Sequence, residues 1–229
     1  MLKKINNIGD CGISCDFGDE VDKKTNNEVI KLFNFIQKSV KNKKIKGILN
    51  YTPSYNKLII NFDLAEIKSN EIIEFIKLSD FSKTVLYEKN KIVEIPICYD
   101  EEFALDIKRL EDKTQLNFKE ITDSHLKTDF FVYMIGFVPG QPFLGDLNKN
   151  LFHDRLDTPR IKIKKGSVGI VEKFCTIYTF ESPGGWNIIG KTPLNLFNIN
   201  KENTSLLHPG DTVKFRSITK KELLSFKNE

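Results

Sequence analysis

The sequence predicts an α+β chain of two unlike parts: a small N-terminal split βαβ (ferredoxin-like) domain over 1–88, then a β-rich domain, a closed barrel or sandwich, over 89–229. Three observations carry that reading. Strand alternation and helical periodicity take turns up to about residue 85. Beyond residue 130, short β-rich runs are separated by Gly and Pro turns. Gly and Pro are unevenly placed, residues 136–210 holding nine of the 13 Gly and six of the eight Pro.

In the first part, Ile13, Cys15 and Phe17 alternate with polar residues as a half-buried strand. Asp22 is placed to cap a helix over 23–41, where Val29, Leu32, Phe33, Ile36 and Val40 recur at helical spacing. Gly47–Tyr51 and Lys57–Phe62 read as strands joined through the turn pair Pro53-Ser54. Ser69 is expected to cap a second helix bearing Ile72, Ile73, Phe75, Ile76 and Leu78, and Lys83–Tyr87 to form a last strand. The second part opens with an alternating strand at 91–98 and two short helices at about 101–112 and 117–127, the latter with Asn117 and Glu120 at capping-box spacing. Strands are then expected at 131–135, 161–163, 168–171, 176–180, 186–189, 194–197 and 212–215, with Thr219 and Glu222 boxing a C-terminal helix.

Composition excludes several classes. Hydrophobic residues at 40% and charged residues at 29% exclude a disordered chain. A net charge of +4 is too weak and mixed to argue for nucleic acid, and no apolar run reaches membrane length, so a cytoplasmic protein with no nucleic-acid or membrane partner is expected. Asn6, Asn7 and Asp10 interrupt what would be a signal-peptide core. Cys11, Cys15, Cys98 and Cys175 are too few and scattered for a disulfide scaffold, and reduced, mostly buried thiols are expected. No H-x-E or H-E-x-x-H spacing occurs, so no metal site is expected.

Four places could carry chemistry. Gly136–Asp146 packs three Gly and two Pro into eleven residues, which specifies a backbone path for either a pocket wall or a barrel corner. That loop lacks the G-x-x-x-x-G-K-[ST] order of a phosphate loop. Arg155 and Arg160 are two of only four Arg in a chain that otherwise uses Lys, and Arg160 hints at a bidentate partner such as a carboxylate. Glu181–Trp186 holds adjacent Gly184 and Gly185 and the only Trp, either a close approach to ligand or a tight turn. His125 ends the second short helix, where the macrodipole favours its cation as acid, base or anion ligand.

At these segments the order of motifs becomes recognisable: GFVPGQPFLGDL, TPR, KGSVGIV, ESPGGWNIIGKTPLNLF and HPGDTVKF, preceded by GDCGISCDFGDEVD, GILNYTPSYNKLIINFD and VEIPICYD. Across essentially the whole chain this resembles the family called the 5-oxoprolinase B subunit, allophanate hydrolase subunit 1 or KipI. The resemblance implies a small α/β domain followed by a cyclophilin-like β-barrel, without prolyl isomerase activity. It implies a homologous barrel partner, the C-type protein or KipA, the pair resembling the carboxyltransferase domain of urea carboxylase. With an A-type protein of the LamB/YcsF kind, such proteins form a 5-oxoprolinase that uses ATP to open 5-oxoproline to glutamate; no ATP motif is recognised in this chain. The resemblance also admits a KipI-type inhibitor of a sporulation sensor histidine kinase, or the carboxyltransferase half of a urea carboxylase-type system. It implies catalytic roles for His125 and Arg160, and binding of a small amide or imide by Gly136, Phe137, Pro139, Gly140, Gln141, Phe143, Ser182, Gly184, Gly185 and Trp186. Where the family usually has Phe and Tyr, this chain has Gln141 and Phe143, which adds an amide and removes a phenol at the expected pocket edge.

Overall fold

A computed structural model describes residues 2–84 and 91–226. Its contacts divide the chain into two units, Met1–Lys89 and Asn90–Glu229. The domain boundary expected at 88/89 lies outside the described residues.

In the first unit, strands β1 (Lys4–Ile8), β2 (Gly12–Asp16), β3 (Ile48–Pro53) and β4 (Lys57–Phe62) form an antiparallel sheet in the order β1-β2-β4-β3. Helices α1 (Lys23–Lys41) and α2 (Ser69–Lys77) supply the other side of its core. The core is set by period: Ile13 and Cys15 on β2 and Leu58, Ile60 and Phe62 on β4 meet Val29, Leu32 and Ile36 of α1 and Ile72 and Ile76 of α2. Asp22 caps α1 as expected, accepting the Thr25 N–H at 2.7 Å. Ser69 does not cap α2. It is the first helical residue, and the Glu71 carboxylate instead accepts the Lys68 N–H at 3.0 Å.

The sequence reading missed β1. Its five residues KINNI are mostly exposed and alternate weakly, because an edge strand has one ladder and little core to fill. Beside β2, β1 takes the edge that a ferredoxin-like arrangement gives its last strand. That strand was expected at Lys83–Tyr87; Phe81–Lys83 forms a 3₁₀ turn, and 85–90 lie outside the described residues.

The second unit is built on a seven-stranded sheet. Its strands are β5 (Ile92–Ile97), β6 (Phe130–Ile135), β7 (Pro142–Gly145), β9 (Ser167–Val171), β10 (Phe174–Ile177), β12 (Asn187–Lys191) and β13 (Thr212–Ser217). Two further strands, β8 (Arg160–Ile163) and β11 (Ser182–Gly184), pair separately. The order is β12-β9-β10-β7-β6-β13-β5. Cys98, just past β5, bridges Lys191 on β12 through two backbone hydrogen bonds of 2.8 and 2.9 Å, and so ties the two edge strands together. The barrel interior follows the two-residue period: Ile95 and Ile97, Phe130 and Val132, Val168 and Ile170, Cys175 and Ile177, Val213 and Phe215 all point inward. Helices α3 (Ile107–Thr114) and α4 (Phe118–Leu126) add Ile107, Leu110 and Ile121 to that core. A short α5 (Lys220–Ser225) follows β13, and Thr219 and Glu222 make its capping box. No described helix is long and apolar enough to cross a membrane.

Three expectations shift here. The first short helix starts at Ile107 rather than near 101, because Asp106 is held elsewhere and residues 100–104 form a turn closed by Ala104 N–H on Asp100 O. Leu194–Phe197 is not a strand; it follows Pro193, which has no N–H to donate, and only Phe197 forms an isolated bridge, to Ser205. β7 lies inside what read as an irregular glycine loop, with Pro142 at its first position, where a strand tolerates proline.

Candidate functional site

The glycine loop leaves β6 at Gly136 and returns as β7. It is cross-braced by Gly136 N–H on Gln141 O at 3.0 Å and Gln141 N–H on Val138 O at 3.1 Å. Phe137 and Gly140 adopt left-handed backbone, with φ of 68° and 72°. From β10's far end, Thr179 Oγ1 donates to Pro139 O at 2.8 Å. The tip is exposed at Phe137 and buried at Gly140. Gly140 carries two constraints at once: its φ is left-handed, and a methyl there would sit 2.5 Å from Phe197 Cβ. Gly140→Ala is expected to cost about 2–4 kcal/mol, read as a lowered denaturant midpoint; a change below about 1 kcal/mol would contradict the placement.

Gln141 turns inward and is 3% exposed. Its Nε2 donates to Thr176 Oγ1 at 3.1 Å, and that hydroxyl donates on to Pro142 O at 2.8 Å. Its Oε1 is buried with no hydrogen-bond partner among the described residues. Two residues on, half-buried Phe143 meets the edge of Trp186, ring centroids 5.8 Å apart. That contact joins the glycine loop to the Ser182–Trp186 segment. Ser182 and Gly184 pair with Ile163 and Arg160 across β11 and β8, and the Ser182 Oγ is also buried without a partner among the described residues.

Arg160 meets the kind of partner the sequence suggested, but inside the chain. Its guanidinium grips Asp106 bidentately, Nη1 to Oδ2 at 2.9 Å and Nη2 to Oδ1 at 2.7 Å. Asp106 also accepts the Ile188 N–H of β12 at 2.7 Å, and its own N–H donates to Ile188 O at 2.9 Å. Arg160 is therefore a latch tying β8 to the base of α3 and to β12. The fork expected to receive a substrate carboxylate is here occupied by a carboxylate of the chain itself.

His125, expected as an acid, base or anion ligand, lies in the barrel interior. The stripe Ile121, Thr122 and His125 is the buried face of α4, and His125 is 0% exposed. Its Nδ1 lies 2.7 Å from the Tyr99 hydroxyl and its Nε2 3.6 Å from Cys175 Sγ, with Phe130 and Phe215 rings at 5.0 and 4.6 Å. A helix C-terminus favours a cation by at most about 2 kcal/mol; full burial costs the charged form more. Desolvation lowers the His125 pKa to about 3, so the ring is neutral. Burial also raises the Tyr99 and Cys175 values, which leaves an uncharged polar triad inside the barrel.

The sequence reading missed Asp106, hidden inside a supposed helix, and Asn187. Asn187 is fully buried, accepts from Arg109 Nη1, and donates through Nδ2 to Asp154 O at 2.9 Å and Ile170 O at 3.2 Å. A further signal was overlooked: GWNIIGKT, residues 185–192, matches the spacing of a phosphate loop. The structure removes its meaning. Asn187–Lys191 is strand β12, paired with β9, and the Lys191 and Thr192 amides are spent on Cys98 O and Gly166 O. A phosphate cradle needs those amides free at a strand–loop–helix junction. These residues do not fit a nucleotide's phosphates. All four cysteines are free thiols, three of them buried. No group of three or more His, Cys, Asp or Glu able to hold a metal occurs among the described residues.

Residues 3–207 match the family model described as carboxyltransferase domain, subdomain C and D. The 5-oxoprolinase B subunit of Bacillus subtilis (strain 168) is 34% identical over 239 residues, covering 99% of this chain and 97% of that protein. Among solved structures, TTHA0988 gives a TM-score of 0.77 at 26% identity over 90% of this chain. The K. lactis urea amidolyase gives 0.76 at 20% identity over 96% of it, a likeness of fold alone. This chain spans 40% and 15% of the lengths of those two solved chains. On the family model and the near end-to-end relative together, the chain belongs to the carboxyltransferase subdomain C and D family, among the proteins known as 5-oxoprolinase B subunits and allophanate hydrolase subunit 1.

Proposed function

We propose that this chain is the B-type member of an ATP-dependent 5-oxoprolinase, working with a homologous C-type barrel protein and a LamB/YcsF-type A protein to open 5-oxoproline to L-glutamate. The observation that carries the reading is the match to the Bacillus subtilis 5-oxoprolinase B subunit over nearly the full length of both chains. The site's chemistry is compatible with it. The half-buried Phe143–Trp186 pair, next to half-buried Gly184, offers apolar surface to a small flat ring. The buried free acceptors on Gln141 and Ser182 suit an amide's donor better than a hydrocarbon.

What this chain contributes is binding and orientation. A lactam carbonyl is a poor electrophile, and coupling its opening to ATP supplies the driving force. That coupling is assigned to the assembled complex, since the GWNIIGKT segment is a paired strand and forms no phosphate cradle. A carboxyltransferase-type role is the second reading, favoured by the likeness of fold to urea amidolyase. The two separate in one substrate comparison. The chain is assembled with its C- and A-type partners and given ATP with either 5-oxoproline, or urea plus bicarbonate together with a separate biotin carboxylase and biotinylated carrier protein. Glutamate from 5-oxoproline and no carboxylated urea supports the proposal; the opposite pattern overturns it.

A further inference from the structure

The chain has four arginines, and the structure settles three of them: Arg109 donates to Asn187, Arg160 to Asp106 and Arg216 to Glu94. Arg155 is different. Among the described residues no carboxylate lies within 4.0 Å of its guanidinium. Yet its backbone is pinned on both sides. The preceding Asp154 O accepts Asn187 Nδ2 at 2.9 Å, and the following Leu156 N–H donates to Gly185 O at 2.7 Å. The side chain lies over Gly185: a methyl built there would meet Arg155 Nε and Nη2, each at 3.2 Å. Glycine at 185 therefore makes room for this guanidinium, since no left-handed φ is found there to require it.

Tyr178 is 2% exposed, with its hydroxyl beside Gly184 and the Trp186 N–H directed at it. Burial pushes its pKa up to about 12 against the pull of Arg155 and Arg160, so it stays a neutral hydroxyl. The positive charge of Arg160 is already cancelled by Asp106, whereas Arg155, exposed and flanked by Asp154 and Asp157, makes no ion pair among the described residues. The buried Ser182 Oγ, on the same short strand as Gly184, has no partner among the described residues. The Trp186–Phe143 wall begins at the next residue.

We propose that Arg155 is the specificity-determining residue of this site: it takes the carboxylate of a small cyclic amide, gripping it with the planar fork that Arg160 spends on Asp106. The assignment rests on the proposed function for the identity of the ring, but its test does not. Binding of 5-oxoproline and of 2-pyrrolidinone, the same lactam without the carboxylate, is measured by calorimetry on the assembled complex. The wild type, Arg155→Gln, Arg155→Lys and Gly185→Ala are compared. The wild type is expected to prefer 5-oxoproline. Arg155→Gln should weaken its binding about 10–100-fold and leave 2-pyrrolidinone unchanged. Arg155→Lys should keep part of the preference, as a charge without a fork. Gly185→Ala should reproduce part of the loss by pushing the guanidinium aside. A wild type with no preference for the carboxylate, or an Arg155→Gln variant that keeps the preference, overturns the assignment. Arg155-dependent binding of 5-oxoproline without turnover upholds Arg155 and removes the oxoprolinase reading instead.

Discussion

Asp106→Ala is expected to destabilise the second unit by about 3–5 kcal/mol, as breaking one side of a buried ion pair does. Asp106 is only 5% exposed and serves three donors: both guanidinium nitrogens of Arg160 and the Ile188 N–H. Removing the carboxylate strands a half-buried guanidinium and a buried amide together. Arg160→Ala is expected to be costly too, because it leaves the Asp106 charge buried with one backbone donor. The Asp106→Ala/Arg160→Ala double variant should cost clearly less than the two single changes added, since the second deletion removes the charge the first left unpaired. Urea unfolding of the three variants measures this; strict additivity would contradict the latch. The pair also bears on the site. Arg160 faces Gly184 across the β8–β11 ladder, so loosening it shifts the Gly184-Gly185-Trp186 turn and reduces ligand binding without touching ligand.

A second large effect follows from His125. Its native pKa, about 3, lies below the ordinary 6.5 because burial disfavours the cation. The unfolded chain therefore takes up a proton at a pH where the native barrel refuses it. The stability contributed by the neutral ring is fully present above about pH 6.5 and is lost as pH falls toward 3, at about 1.4 kcal/mol per unit. Tyr99 and Cys175, the groups facing the imidazole, are held neutral throughout that window by their raised values. Unfolding free energy measured from about pH 7 to 4.5 should fall with one proton more of slope in the wild type than in His125→Gln. His153, also lowered by desolvation, titrates in both proteins and drops out of the comparison. Equal slopes would mean that His125 is charged in the native state.

The elements the sequence made legible are those whose signals are strong and local. The caps at Asp22, Asn117 and Thr219 rest on one side chain and one amide three residues on, and each is found bonded. Barrel strands such as β5, β9 and β13 carry apolar residues at period two, and a filled interior rewards that pattern directly. What stayed hidden depends on distant partners. β1 needs only one ladder. β7 hides behind Pro139 and Pro142. Leu194–Phe197 has an apolar pattern but pairs only locally, through the Phe197–Ser205 bridge. The site shows the same division. Its segments were legible as glycine, proline and aromatic clusters, and the Phe143–Trp186 contact brings two of them together. The roles within it were not, because a guanidinium's partner cannot be read along the chain. Arg160 and Arg155 stand five residues apart, and only folding decides that Asp106 takes the first. GWNIIGKT teaches the converse: spacing alone imitates a phosphate loop, and strand pairing cancels it.

If this chain is an obligatory part of an oxoprolinase, leaving it out abolishes the activity. Conversion of 5-oxoproline to glutamate with ATP is followed in the mixture of this chain with its C- and A-type partners, in the same mixture without it, and with the chain alone. Glutamate is expected from the full mixture only. Undiminished glutamate formation when this chain is left out would contradict it.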